Sequence, residues 1–406
     1  MTALAPSIYE KISLNGEDIR PKVASFSYYE SLFSPIVTAN LAMVDTEGII
    51  SDLQISGDES VSFSIRSKLA TIDFDRNPLY LNTAPVAAKD ANREAVAISL
   101  MSRYAITNEK STISKKYSGK ISDSVKKILV EDLKVSTNRI NIDTTKNISH
   151  FSGASEHPFN VILKLCPKSI GESTDGAPGY FLYETQRGMN FRSISKLIKQ
   201  DPYPYTYTYN SKIKFDDDGN DFKILSYKQL RSQTVLNGLR SGLYSNRNIF
   251  FNPRELTSKE LILRLTGNGD IEYGNKKIKL DYLGKKPRFS EEILTDDWTR
   301  THFHVLDVGM FQDKSTTTNN SAEEWQPLAT TRYNILFNKM VNILIPCNPN
   351  LTAGDIINIQ IQKTSISTQK EYDNTESGKY LILHVSHNFT RDKSYTSLTL
   401  TKDTFG

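Results

Sequence analysis

GDESVSFSIRS (Gly57–Ser67) and GDIINIQIQKT (Gly354–Thr364) open on the same Gly-Asp pair and then alternate strictly between apolar and polar residues. In the first, Val61, Phe63 and Ile65 share one face, and Ser62, Ser64 and Arg66 the other. In the second, Ile357, Ile359 and Ile361 stand against Asn358, Gln360 and Gln362. A period of two is the mark of a half-buried strand. Gly-Asp before an alternating strand is common in β proteins, so the pair alone allows coincidence or an internal duplication. The surrounding chain has to choose.

From Ile8 to Thr107 the text is strand and turn: SFSYYESLF, TANLAMVD, a turn at Thr46 to Gly48, SVSFSIRS and AVAISLMSRYAI. This reads as a small β-barrel over 1–107. The period then changes. SDSVKKILVEDLKV predicts a helix capped by Ser122 with Val125, Ile128, Leu129 and Leu133 on one side, and HPFNVILKLC a second with Pro158 in its first turn. GYFLYETQRGMNF reads as two short strands about a Gln-Arg-Gly turn leading into a third helix, RSISKLIKQ, so 108–210 form an inserted α/β domain. Strands resume at FKILSYKQL and NGLRSGLYS and again after 338. This predicts a second, discontinuous barrel over 211–257 and 328–406, interrupted by an insertion at 258–327 whose stretch from Gln312 reads as a mobile loop. The expected fold class is α+β, mainly β.

Composition bounds the function. The chain has 406 residues, enough for several domains, and its 50 Lys and Arg exceed its 46 Asp and Glu by only four, interspersed rather than clustered. A dedicated nucleic-acid binder would gather its cations. The two cysteines, Cys166 and Cys347, form no disulfide framework, and synthesis in a reducing cytoplasm is expected. The first twenty residues lack a basic segment followed by an apolar one, and no run approaches membrane-spanning length. Neither signal-directed export nor direct membrane insertion is expected.

Catalytic and metal signatures are sparse. There is no G-x-S-x-G, phosphate loop, H-E-x-x-H or dinucleotide fingerprint. His302 and His304 share a strand face whereas His384 and His387 do not, and neither pair is completed by further ligands. FDDDGNDF, beginning at Phe215, has its glycine at the wrong place for a calcium loop and reads as a hairpin turn. Tyr203, Tyr205, Tyr207 and Tyr209 alternate along a strand, where they could stack a sugar or base or pack inside the fold. The expectation is no catalytic residue, no metal and no cofactor.

Taken in order, ESLFSPIVTANLAMVDTEGIISDLQISGDESVSFSI, SDSVKKILVEDL, HPFNVILKLCPKSI, GYFLYETQRGMNFRSISKLIKQDPYP, NLTAGDIINIQI and KYLILHVSHNFTRDKSYTSLTLTKD resemble the central baseplate hub proteins of contractile-tailed phages, the myoviruses. The resemblance implies a homotrimer in which each subunit supplies two similar tube domains. The ring of six would join the tail tube to the central spike, a tail lysozyme-type protein, and let DNA pass. It also implies tape measure and baseplate wedge proteins as further partners, a location in the virion tail baseplate, and assembly in the host cytoplasm. A hub or spike component of a contractile secretion system shares this architecture, and a tail-associated cell-wall hydrolase is the alternative of another class. DNA would be met only in transit, and a bore should carry no surplus of positive charge. Ser62 and Ser64, or Asn358, Gln360 and Gln362, are the expected lumen-facing residues.

Overall fold

In the computed structural model the described residues are 4–48, 59–83, 86–90, 93–172, 176–210, 220–232, 234–286, 289, 292–294, 297–306, 322–363 and 372–403. The turn at Gly57 and Asp58, the Asp-rich turn at 215–219 and the loop expected from 312 to 321 lie outside them.

The first lobe is built from β1 (Ile8–Leu14), β2 (Glu17–Asp18), β3 (Val23–Ser31), β4 (Thr38–Asp45), β5 (Ser60–Arg66), β6 (Thr71–Asp73), β7 (Leu79–Leu81), β8 (Val86–Asp90) and β9 (Arg93–Met101). Strands β3, β4, β9 and β8 hydrogen-bond side by side as one wall, and β1 pairs with β5 in the wall opposite. Alternation makes the walls adhere. Phe26, Leu41 and Ile98 of one meet Val61, Phe63 and Ile65 of the other in a single buried cluster, with the Phe26 and Phe63 rings 4.5 Å apart.

The α/β unit follows. It holds the helix Arg103–Lys110, β10 (Lys116–Lys120), the helix Ile121–Lys127, β11 (Ile140–Ile142), β12 (Ile148–Ser152), the helix Pro158–Leu165, β13 (Tyr180–Thr185), β14 (Gly188–Ser193) and the helix Ile194–Lys199. Val125, Ile128, Leu129 and Leu133 are buried together, as their spacing predicts. Ser122 does not cap. It lies within the first turn, where its N–H donates to Thr145 Oγ1 at 3.0 Å.

The second lobe combines β15 (Thr206–Tyr209) and β16 (Ser226–Arg231) with strands from the end of the chain, β22 (Lys339–Pro346), β23 (Ile356–Ile361), β24 (Gly378–Thr390) and β25 (Ser394–Lys402). Between them lies a separate five-stranded sheet of β17 (Ser245–Asn252), β18 (Thr257–Leu265), β19 (Ile271–Tyr273), β20 (Lys276–Ile278) and β21 (Arg300–Val305), followed by the helix Ala322–Leu336. Strand β17, inside the stretch assigned from sequence to the second barrel, hydrogen-bonds in this sheet and not to β22. NGLRSGLYS is no strand. Most of it belongs to the helix Val235–Ser241, which Gly242 ends in the left-handed region at φ 74°.

The architecture is therefore α+β and mainly β. The two lobes do not close as separate barrels: β24 pairs with β3 over seven residue pairs, Thr390 opposite Ser25 to His384 opposite Ser31, and fuses both into one fifteen-stranded sheet. Phe63 fills the first core whereas Ser62 only bonds Ser13 across the surface. Phe63→Ala should cost about 3–5 kcal/mol and Ser62→Ala about 1 kcal/mol or less. Urea unfolding of the two variants measures the contrast.

Candidate functional site

The sheet writes one strand order twice. β16-β22-β25-β24 is followed without a break by β3-β4-β9-β8. In each run the first two strands are consecutive in the wall's own chain order and the last two form a hairpin, so β16, β22, β24 and β25 correspond to β3, β4, β8 and β9. The repeat seen in the structure is thus one of strand order, and the two Gly-Asp strands lie outside the wall, β5 pairing with β1, β6 and β7 and β23 with β15 and β24.

One face of this eight-strand wall is buried and apolar; the other is polar, with its charged side chains towards the two outer edges. Cross-strand register lines up Ser226, Leu344, Ser397, Ser386, Tyr29, Thr38 and Met101 in one row. A second row holds Pro346, Tyr395, Asn388, Ser27, Asn40 and Ser99. Side chains knit the rows: Ser27 Oγ donates to Asn388 Oδ1 at 2.8 Å, Asn388 Nδ2 to Ser386 Oγ at 2.9 Å, and Asn342 Nδ2 to Ser397 and Thr399 at 3.3 Å each. Lys228 and Arg231 on the edge strand β16, opposite Asn342 and Met340, and Asp90 with Arg93, 3.9 Å apart where β8 meets β9, carry the charges of this face. Burial lowers the pKa of His384, which lies on it opposite Ser31, and favours the neutral ring.

The residues expected from sequence to line a lumen do not lie on this face. Ser62 and Ser64 lie on β5 and Asn358 and Gln360 on β23, each half-buried, with their apolar neighbours turned into the lobe cores. They occupy the walls opposite the eight-strand face. Gln362 follows β23 and its N–H donates to Tyr209 O. The tyrosine ladder packs on the second core, with Tyr207 fully buried and Tyr205 stacked on Phe222 at 4.2 Å. His304 bonds Asn248, and among the described residues no three His, Cys, Asp or Glu side chains gather as a metal site.

Sequence reading missed the joint that holds both lobes. The β13–β14 hairpin inserts its tip, Glu184 to Gly188, where they meet. Glu30, fully buried on β3, accepts from Tyr28 Oη at 2.9 Å, from Gln186 N of the hairpin at 2.7 Å and from Ala353 N of the second lobe at 2.9 Å. Glu184 accepts from Val37 N at 3.0 Å, Arg187 pairs with Asp355 at 3.2 Å, and Gln186 Nε2 donates to Pro349 O. Gly354 has φ +87°, and a Cβ there would come within 2.4 Å of Tyr183 Oη, so the glycine of the second Gly-Asp pair is needed twice over. A buried Glu at the end of an alternating strand was the one available signal, since such a group demands partners.

No known protein family and no curated protein matches the chain. Solved structures do. A tail protein from Neisseria meningitidis MC58 aligns with a TM-score of 0.56 at 10% identity, over 98% of this chain and 97% of that one. The 43 kDa tail protein of prophage MuSo2 from Shewanella oneidensis aligns at 0.54 and 10% identity, covering 98% of both. This chain has the fold of these tail proteins.

Within the tail-protein fold the joint is sensitive to protons. Burial raises Glu30 from 4.5 to about 7 against the pull of its three donors, with Asp355 adding to the rise. Burial likewise raises Glu184 to about 7, opposed by Ser102, Val37 N and Arg139. The native state thus holds more protons than the unfolded chain between these values, and stability is fullest below the unfolded pKa and falls as pH rises through about 7, by up to about 3 kcal/mol per group. Urea midpoints at pH 5 and pH 8 should differ in the wild type, lower at pH 8, and Glu30→Gln with Glu184→Gln should remove most of that difference. An unchanged difference would show that other groups set it.

Proposed function

We propose that the protein is a structural hub subunit of a phage contractile tail, three copies of which close into a ring joining the tail tube to the central spike. The observation that carries this is the repeated strand order. Because β24 and β3 already join one repeat to the next inside a chain, the same kind of bond between β8 of one copy and β16 of another would continue the wall. Among the described residues both strands are edges paired on one side only, and ring closure would cover them. The contact is head-to-tail, so it must close or grow without limit. Three copies supply six repeats, and a six-fold tube meets a three-fold spike.

The polar face is then the wall of the bore, and the lumen assignment moves to it from Ser62, Ser64, Asn358, Gln360 and Gln362. At about 4.8 Å between strands, three eight-strand walls span roughly 115 Å before tilt, a backbone diameter of roughly 37 Å. Side chains fill about 5 Å on each side, half the ~10 Å between packed sheets. The remaining width admits a DNA duplex. Serine, threonine and asparagine hold water at such a wall, and the scarcity of Lys and Arg spares passing DNA the counterion-release affinity each would add. The reading requires no catalytic group and no cofactor. Tape measure and baseplate wedge proteins are further partners in it, and the virion baseplate is its place.

Two measurements test it. Native mass of the protein co-expressed with its spike should give three copies, and Leu230→Asp, which places a charge at a half-exposed position of the β16 edge, should leave the fold but abolish the ring. Replacing Ser386 and Ser397 by Lys should permit assembly yet slow DNA ejection at low salt, with recovery as salt rises. Monomers within the spike complex would refute the ring; ejection unchanged at every salt concentration would refute the bore.

A further inference from the structure

We propose that the cleft between the first lobe and the α/β unit binds a carboxylate-bearing peptide segment of a neighbouring protein. The cleft is a cavity of about 200 Å³ whose rim carries Arg76, Arg103, Lys134 and Arg139, with Tyr80 and Tyr104 beside them and Glu184 at its floor. The cations come from three places: the approach to β7, the first turn of the helix Arg103–Lys110, and the segment after the helix Ile121–Lys127. They meet only because the two units pack together.

Among the described residues three of the four lack a carboxylate partner although they converge on one hollow. Elsewhere on the first lobe cations have carboxylate partners: Lys11 with Asp75, Arg20 with Asp18 at 2.6 Å, Lys22 with Asp45 at 3.0 Å and Arg66 with Glu10 at 3.0 Å. Arg76, Arg103 and Lys134 have none within ion-pair distance among the described residues, and Arg139 spends one guanidinium N–H on Gln186 O. Lys134 also holds φ +59°, a left-handed conformation that Gly or Asn adopts with less strain, so a lysine there is not chosen for the backbone. Buried Glu184, raised to about 7 by burial, offsets at most one charge of the four. The excess is positive and concentrated.

Shape favours a peptide over a nucleic acid. Cations that read a phosphate backbone are strung along a groove or stripe, whereas these converge on one hollow with room for one or two side chains. Arginine forks match carboxylates in two-bonded geometry, and the tyrosine hydroxyls add neutral donors. An Asp or Glu side chain, presented on an extended segment, suits the hollow. The proposal concerns the single chain and stands or falls apart from the ring.

The test is fluorescence anisotropy with the full chain and a labelled hexaglutamate peptide. Saturable binding is expected, with hexaglutamine inert. Arg103→Gln alone should weaken it about tenfold, the scale of one lost charge-assisted hydrogen bond, and Arg76→Gln with Lys134→Gln further. All three side chains are exposed, and circular dichroism of each variant checks the fold. Lys126→Gln with Lys127→Gln, exposed on the neighbouring helix, should leave affinity unchanged. No binding of hexaglutamate, an equal loss in the Lys126/Lys127 variant, or tighter binding of a single-stranded DNA of the same charge would each overturn the proposal, the last by making the cleft a phosphate site.

Discussion

The backbone pairing of β24 with β3 is the constraint on which the rest depends. Seven residue pairs join strands from opposite ends of the chain, so the two lobes are held by a ladder of hydrogen bonds and not by a flexible linker. A ladder fixes register, and register decides faces: a slip of one residue would turn Ser27 and Ser386 into the core and Phe26 and Val385 out to water. One uninterrupted polar surface across both lobes exists because this junction admits a single alignment. It also makes the chain's last strands essential to its first lobe, with contacts of very long range and the slow folding such topology brings.

The buried carboxylates at the joint serve the same constraint from the side. A hydrogen-bonded ladder resists sliding but can hinge, and the β13–β14 hairpin closes the hinge by bonding both lobes through Glu30, Glu184 and Gln186. Leu32 of the first lobe, Phe181 and Tyr183 of the hairpin and Leu381 and Leu383 of the second lobe share one apolar cluster beneath those bonds. The α/β unit is therefore bonded to both lobes where they meet. In the proposed ring such a contact would help set the angle between repeats, and with it how many close the ring.

Charge is distributed in keeping with this division. The wall common to both lobes is polar with its charges towards its outer edges, while the cleft outside it gathers four cations around one acid. The proposed bore and the proposed binding cleft call for opposite compositions. Overall charge close to balance conceals both.

Much of the fold was legible in the sequence because alternation reports burial directly. Val61, Phe63 and Ile65, and Ile357, Ile359 and Ile361, are core residues as their spacing says. Periodicity could not say which of a lobe's two polar faces would be shared by both lobes, since Ser62 and Ser27 alternate in the same way. Nor did it separate the helix Val235–Ser241 from a strand, where a glycine inside and a glycine after blurred the pattern, or assign β17 to its own sheet. The joint and the cleft were invisible for a plainer reason: Glu30, Gln186 and Ala353, or Arg76, Arg103 and Lys134, lie far apart along the chain. Local sequence determined which residues turn inward; only tertiary pairing decided which strands became neighbours, because a backbone hydrogen bond carries no mark of the side chains beside it.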